Sequence, residues 1–141
     1  MNNQIYPCLW FDGNAKEAAD FYCSVFKNSK ILSENPVVVY FEINGYKVMC
    51  LNGGPNFKFN EAVSLVVNCE TQEEIDYYWE TLTADGGKES MCGWLKDKFG
   101  FSWQIVPSII GKLMSDPEKS KRVMQAIMGM KKLDIAMLEQ A

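Results

Sequence analysis

The chain has 141 residues, 48% hydrophobic and 23% charged, enough for one sizeable core and too few for two ordinary domains. A formal net charge of −4, with no basic run longer than a pair such as Lys131-Lys132, excludes the electrostatic footprint of a nucleic-acid binder. No stretch approaches the ~18 consecutive apolar residues of a membrane span and the N-terminal Met-Asn-Asn-Gln-Ile-Tyr-Pro lacks an export signal, so the expectation is a cytoplasmic protein with no membrane partner.

Ile5 to Phe11 is an apolar run of strand length, closed by Asp12-Gly13-Asn14, where Asn14 offers a helix cap. From Ala15 the positions Ala18, Ala19, Phe21, Tyr22, Val25 and Phe26 recur at helical spacing, and Asn28-Ser29 ends the helix. Two strands follow, Val37 to Ile43 and Tyr46 to Leu51, joined by the hairpin signal Asn44-Gly45 and broken by Asn52-Gly53-Gly54-Pro55. Ala62 to Val67 is again apolar. Asn68-Cys69-Glu70-Thr71 then starts a helix whose buried face is marked by Ile75, Tyr78, Trp79 and Leu82, and Asp85-Gly86-Gly87 ends it. Asp97-Lys98-Phe99-Gly100 has turn chemistry and feeds an apolar strand that stops at Pro107.

The second half repeats the first. Leu9-Trp10-Phe11-Asp12 lies opposite Leu65-Val66-Val67-Asn68, and Asp20-Phe21-Tyr22 opposite Asp76-Tyr77-Tyr78, both offset by 56 residues; Asn44-Gly45 matches Phe99-Gly100 at an offset of 55. Equal offsets across a strand and a helix indicate duplication. The reading is an α+β chain of two βαβββ modules, residues 4–53 and 61–107, in a single domain 1–141 with a helical tail, 108–141. In that tail Ser115-Asp116-Pro117 opens a helix with Val123, Met124, Ile127 and Met128 at helical spacing, and a last helix starts at Asp134. Five of the eight methionines (114, 124, 128, 130 and 137) fall here and are expected to pack in a core.

The runs Leu-Trp-Phe-Asp-Gly at 9–13, Asp-Phe-Tyr at 20–22, residues 51–62, and Cys-Gly-Trp-Leu-Lys-Asp-Lys-Phe-Gly-Phe-Ser-Trp-Gln-Ile-Val-Pro at 92–107 resemble the PhnB-like branch of the vicinal oxygen chelate superfamily. This is the glyoxalase and bleomycin-resistance fold, and the branch often carries the label 3-demethylubiquinone-9 3-methyltransferase. The resemblance implies a vicinal-oxygen-chelate pair of half-barrels, a homodimer, and a small-molecule ligand in the cleft of each βαβββ pair. The connection between Ser33 and Val37 is shorter than is usual in the family.

In metal-dependent relatives each module donates ligands from its first and last strands. Those positions map to Cys8, Met49 (or Cys50 with the register off by one), Ser64 and Gln104, where Gln104 replaces the metal-binding Glu. Divalent Mg, Mn, Ni or Zn at such a site needs imidazole and carboxylate donors, and the chain contains no His. No metal and no cofactor is therefore expected; a soft-metal site of Cys8, Cys50 and Met49 is the alternative, against which neighbouring strand residues point to opposite faces. Five cysteines without Cys-x-x-Cys spacing read as free thiols.

Other chemistry is sparse. Without His no Ser-His or Cys-His pair can activate a nucleophile. Glu42 and Glu61 are bases only if burial raises their pKa, and Cys92 is reactive only if Lys96 or Lys98 lowers its own. The glycines of Leu51-Asn52-Gly53-Gly54-Pro55 do not open into a helix as a nucleotide fingerprint would. The candidate ligand-binding residues are Trp10, Phe57, Phe59, Trp94 and Trp103, with Ser64 and Gln104 as polar points; the competing reading is that these rings fill the core. The leading function is metal-free binding of a small, partly apolar molecule. The alternatives are an enzyme with an unidentified reaction and a resistance protein that sequesters a drug.

Overall fold

In a computed structural model, which describes residues 3–141, the chain forms two compact units, Met1–Phe59 and Asn60–Ala141. Each is built on a four-stranded mixed sheet.

The first unit runs β1 (Cys8–Phe11), α1 (Ala15–Val25), β2 (Ser29–Glu34), β3 (Val38–Ile43) and β4 (Tyr46–Asn52), with sheet order β1-β4-β3-β2. β1 lies parallel to β4, and the remaining pairs are antiparallel. Strand alternation sorts the side chains: Leu9, Phe11, Val39, Phe41, Val48 and Cys50 are buried with Ala15, Ala18, Ala19, Tyr22 and Val25 of α1. The three alanines bring helix and sheet close together, and Tyr22 stacks on Phe41 with ring centroids 5.8 Å apart.

Three local expectations change here. The first strand begins at Cys8 rather than Ile5, which is 97% exposed. Pro7 contributes only its carbonyl, which accepts from Met49 N. Asn14 precedes α1 without a side-chain cap; instead Asn52 Oδ1 accepts from Ala15 N at 2.9 Å, so the end of β4 caps the helix. Residues 29–34, which lack an apolar pattern, form the edge strand β2. Its register comes from pairing with β3 rather than from burial.

The second unit runs β5 (Ser64–Cys69), α2 (Gln72–Thr83), a short 3₁₀ turn at Ala84–Gly86, β6 (Lys88–Glu89), β7 (Trp94–Lys96), β8 (Ser102–Pro107), α3 (Ile110–Leu113), α4 (Pro117–Met128) and α5 (Ile135–Gln140). Its sheet order, β5-β8-β7-β6, repeats that of the first unit, with β5 parallel to β8. The strand expected at 62–67 is displaced two residues towards the C-terminus. Thr71 caps α2, its Oγ1 accepting from Glu74 N. Leu95, Trp103 and Ile105 are buried on the face packed by Ile75, Trp79 and Leu82; Tyr78, expected among them, is half-buried.

The tail encloses a second cluster of Val123, Ile127, Leu133 and Leu138, with Met114 and Met130 packed against it. Met124, Met128 and Met137 are exposed, against the expectation for the methionine-rich helices, because the buried stripe follows Val123 and Ile127. Asp116 and Asp134 cap α4 and α5. The tail is tied down at two places. Cys92 N and Gly93 N donate to Met130 O and Lys131 O at 2.7 and 2.8 Å, and the Gln72 side-chain amide donates to Leu133 O and accepts from Ile135 N. Gly93 has a φ of +85°, and a Cβ there would press on Ile105 O and the Leu133 side chain, so this crossing requires glycine.

Candidate functional site

The candidate residues fall into separate groups, one in the first unit and the others on the two faces of the second sheet. In the first unit Trp10 is half-buried and its indole Nε1 donates to Gly54 O at 2.8 Å. The ring packs edge-on against Phe57 at 4.9 Å, and Phe11 meets Phe59 in the same way at 5.4 Å. Gly53 N donates to Phe11 O, and a Cβ on Gly53 would overlap the Trp10 ring. Trp10, Phe57 and Phe59 thus hold segment 53–59 against β1. The glycines lead into a turn at residues 55–56, not into a helix.

Cys8 and Met49 are register partners on the open face of the first sheet, which Tyr40 shares. There the Lys47 ammonium lies between two rings, 4.7 Å from the Tyr6 centroid and 4.5 Å from that of Tyr40. Cys50, one residue on, points into the core, where burial pushes its thiol up to about 12. Cys8 and Cys50 therefore occupy opposite faces, as alternation requires.

On the second sheet, alternation separates two residues that the sequence reading grouped. Trp103 is 2% exposed on the helix-facing side and donates from Nε1 to Asp97 Oδ2 at 2.8 Å. Asp97, itself 2% exposed, also accepts from Phe99 N and Phe101 N, so its carboxylate organises the turn before β8. This buried aspartate, visible beforehand only as turn chemistry, gives Trp103 a packing role in the core.

Gln104 faces the opposite way. It is half-buried, its Nε2 donates to Ser64 Oγ at 3.0 Å, and its register partner is Trp94. Ser64 is itself in register with Ser102, and Trp94, Lys96, Ser102, Gln104, Ser64 and Val66 share the open face. A groove of about 250 Å³ opens there, lined by Glu61, Lys88, Glu89, Ser90, Trp94, Leu95, Lys96 and Ser102. Lys96 forms a close ion pair with Glu61, whose carboxyl is thereby held below its ordinary range. Glu89 accepts from Trp79 Nε1 at 2.7 Å. Ser102 is 1% exposed, and its Oγ has no hydrogen-bond partner among the described residues. Lys96 and Ser102 were not chosen from the sequence: the pairing register that joins them is set by the three-residue turn Lys98-Phe99-Gly100, closed by Asp97 N and Phe101 O.

Comparison with known proteins fits this architecture. The model of the 3-demethylubiquinone-9 3-methyltransferase family matches residues 3–106. The chain belongs to this family. A Bacillus cereus PhnB protein with the same methyltransferase description is 35% identical over 75% of this chain and all of that one, with a TM-score of 0.68. A glyoxalase-related enzyme from Fulvimarina pelagi shares the fold at 16% identity, covering 77% of this chain and 91% of that one with a TM-score of 0.55. A glyoxylase/bleomycin resistance protein/dioxygenase domain from Frankia sp. EAN1pec does so at 13%, covering 76% and 92%, with a TM-score of 0.53. No curated protein matches the chain. The PhnB-like branch of the vicinal oxygen chelate superfamily, which the motifs resembled, is thus its family, and the two four-stranded mixed sheets are the fold of that family.

The donors present do not fit the metal implied by the superfamily name. In this PhnB-like chain the mapped positions supply a thiol and a thioether in the first unit, Cys8 and Met49, and a hydroxyl and an amide in the second. Ser64 and Gln104 are bonded to each other. Neither pair offers the imidazole and carboxylate set of a hard divalent site. Among the described residues no three His, Cys, Asp or Glu side chains come together in a way that could hold an ion. Among them, too, no helix is long and apolar enough to cross a membrane.

Proposed function

We propose that this PhnB-like protein binds a small, partly apolar molecule on the open face of the second sheet, without a metal and without covalent chemistry. The groove beside Trp94 carries the reading: it sets an indole ring and Leu95 among six polar or charged residues, an apolar surface with polar groups that can fix a small ligand's orientation. Gln104 and Ser64 would orient the ligand from the same face. Trp94, Ser64 and Gln104 are thus the ligand-binding candidates in the second unit, while Trp10, Phe57 and Phe59 act by positioning segment 53–59.

Methyl transfer, the activity in the family's description, has no support in the site, where no glycine-rich turn opens a helix for a nucleotide-bearing methyl donor. We further infer that residues 1–141 work as one domain in a cytoplasmic homodimer.

Native mass spectrometry of protein purified without chelator tests the reading. The expected result is a dimer that retains a small molecule and holds less than stoichiometric transition metal, with the retained molecule lost in Trp94→Ala. Stoichiometric metal, or conversion of the retained molecule on incubation, would overturn it in favour of an enzyme.

A further inference from the structure

The groove over β7 contains a polar group that the protein leaves unused. Ser102 Oγ is buried, lines the groove and lacks a hydrogen-bond partner among the described residues. A buried hydroxyl without a partner is unfavourable unless something fills the space beside it. Its register partner across the hairpin is Lys96. Directly opposed residues on one sheet face hold their Cβ atoms about 4.5–5.5 Å apart, so a group with two acceptor oxygens can reach both side chains.

The present partner of Lys96 is replaceable. The Glu61 side chain is 63% exposed, precedes β5 in an irregular stretch, and forms a surface ion pair. Lys88, in register with Lys96, adds a second cation to the lining, and the Glu89 carboxylate is engaged by Trp79. If Glu61 turns outward, the groove offers an ammonium, a hydroxyl and, from Trp94, an indole ring. Its volume of about 250 Å³ suits one or two rings rather than a drug-sized molecule.

Resting on the ligand-binding reading above, we propose that this groove takes a small aromatic acid. The carboxylate sits between Lys96 Nζ and Ser102 Oγ, the ring lies along Trp94, and Glu61 substitutes for that carboxylate while the groove is empty. The ligand thus exchanges one ion pair for another and adds the hydrogen bond that Ser102 lacks.

Three matched probes test this with the full chain: 2-naphthoate, 2-naphthamide and 2-naphthylmethylammonium, titrated by tryptophan fluorescence and calorimetry. Naphthoate should bind at least about tenfold more tightly than the neutral and cationic analogues, the scale of one charge-assisted hydrogen bond. Ser102→Ala and Lys96→Met should each weaken naphthoate by about tenfold and the amide, whose carbonyl accepts weaker bonds than a carboxylate, by clearly less. Ser102→Ala should keep or raise the melting temperature, since it removes a buried hydroxyl with no hydrogen-bond partner among the described residues. Glu61→Gln should tighten naphthoate several-fold by weakening its competitor, which a merely structural ion pair would not do.

Equal binding of all three probes, weakened throughout by Trp94→Ala, would overturn the acid assignment and leave the ligand-binding reading standing. So would failure of all three in protein that still retains another molecule in native mass spectrometry. Failure of all three with nothing retained would overturn both.

Discussion

The two units share one topology and treat their open sheet faces differently. In the first, Lys47 lies between the rings of Tyr6 and Tyr40, and Lys30 reaches Glu42, so the charged groups have partners from within the unit. In the second, Ser102 has none among the described residues, and the lysine beside it is held by Glu61, a carboxylate of the same unit on an exposed stretch. Duplication therefore supplied two similar scaffolds, and divergence filled one face with the protein's own side chains while leaving polar capacity on the other. The edges differ as well. β6 and β7 are two and three residues long, where β2 and β3 have six each, and the tail lends backbone partners to Cys92 and Gly93 just before β7.

The contrast breaks most sharply at the buried indole of the second unit. Trp103→Ala removes a large core ring and leaves Asp97 without one of its donors, so it should cost about 3–5 kcal/mol in denaturant unfolding. Amide exchange should rise in 60–141 more than in 3–59. A uniform rise would show that the two units unfold together.

The first unit has a smaller pressure point. In Gly53→Ala the new Cβ would lie 2.3–2.5 Å from three atoms of the Trp10 ring. Displacing the ring and its bond to Gly54 O should cost about 1–3 kcal/mol and shift the tryptophan emission. Gly111→Ala in α3 is the control, because its Cβ meets nothing within 4 Å. It should be neutral or stabilising by about 0.5–1 kcal/mol.

The smallest effect concerns the attachment of the tail. The Asp76 carboxyl is held below its ordinary range by hydrogen bonds from Lys132 and then Gln72. A carboxylate whose pKa is depressed by folding contributes stability above its unfolded pKa and loses it as the pH falls through the folded value. Tail protection should therefore weaken on acidification through and below the ordinary carboxylate range, and Lys132→Met should flatten that dependence. A pH profile unaltered by Lys132→Met would remove the ion pair from the account.

What was legible in the sequence were the features written in local chemistry. The equal offsets revealed the two βαβββ modules, Asn44-Gly45 the hairpin, and Asp116 and Asp134 the capped tail helices. β2 is not legible because an exposed edge strand carries no apolar period, and Asn14 holds the N-cap position of α1 as expected but not the capping bond, which Ala15 N gives to Asn52, 37 residues beyond Ala15. The candidate site suffered in the same way. Gln104 and Ser64 are legible only as polar points, and the structure adds the bond between them, while Trp103 faces away from Gln104 because adjacent strand residues face apart. Lys96 and Ser102 depend on a hairpin register that residue types alone do not specify.

The Gln72 amide has a consequence for how the second unit comes together. Its nitrogen and oxygen satisfy Leu133 O and Ile135 N, and Gln72 is the first residue of α2. The entry to α5 thus borrows its backbone partners from a helix begun 63 positions earlier, and neither end of that connection is complete alone. A ribosome releases residue 72 well before residue 135, so the helix start waits as a template for a segment made later. Amide exchange at Ile135 should then follow the opening of α2 rather than local fraying of α5.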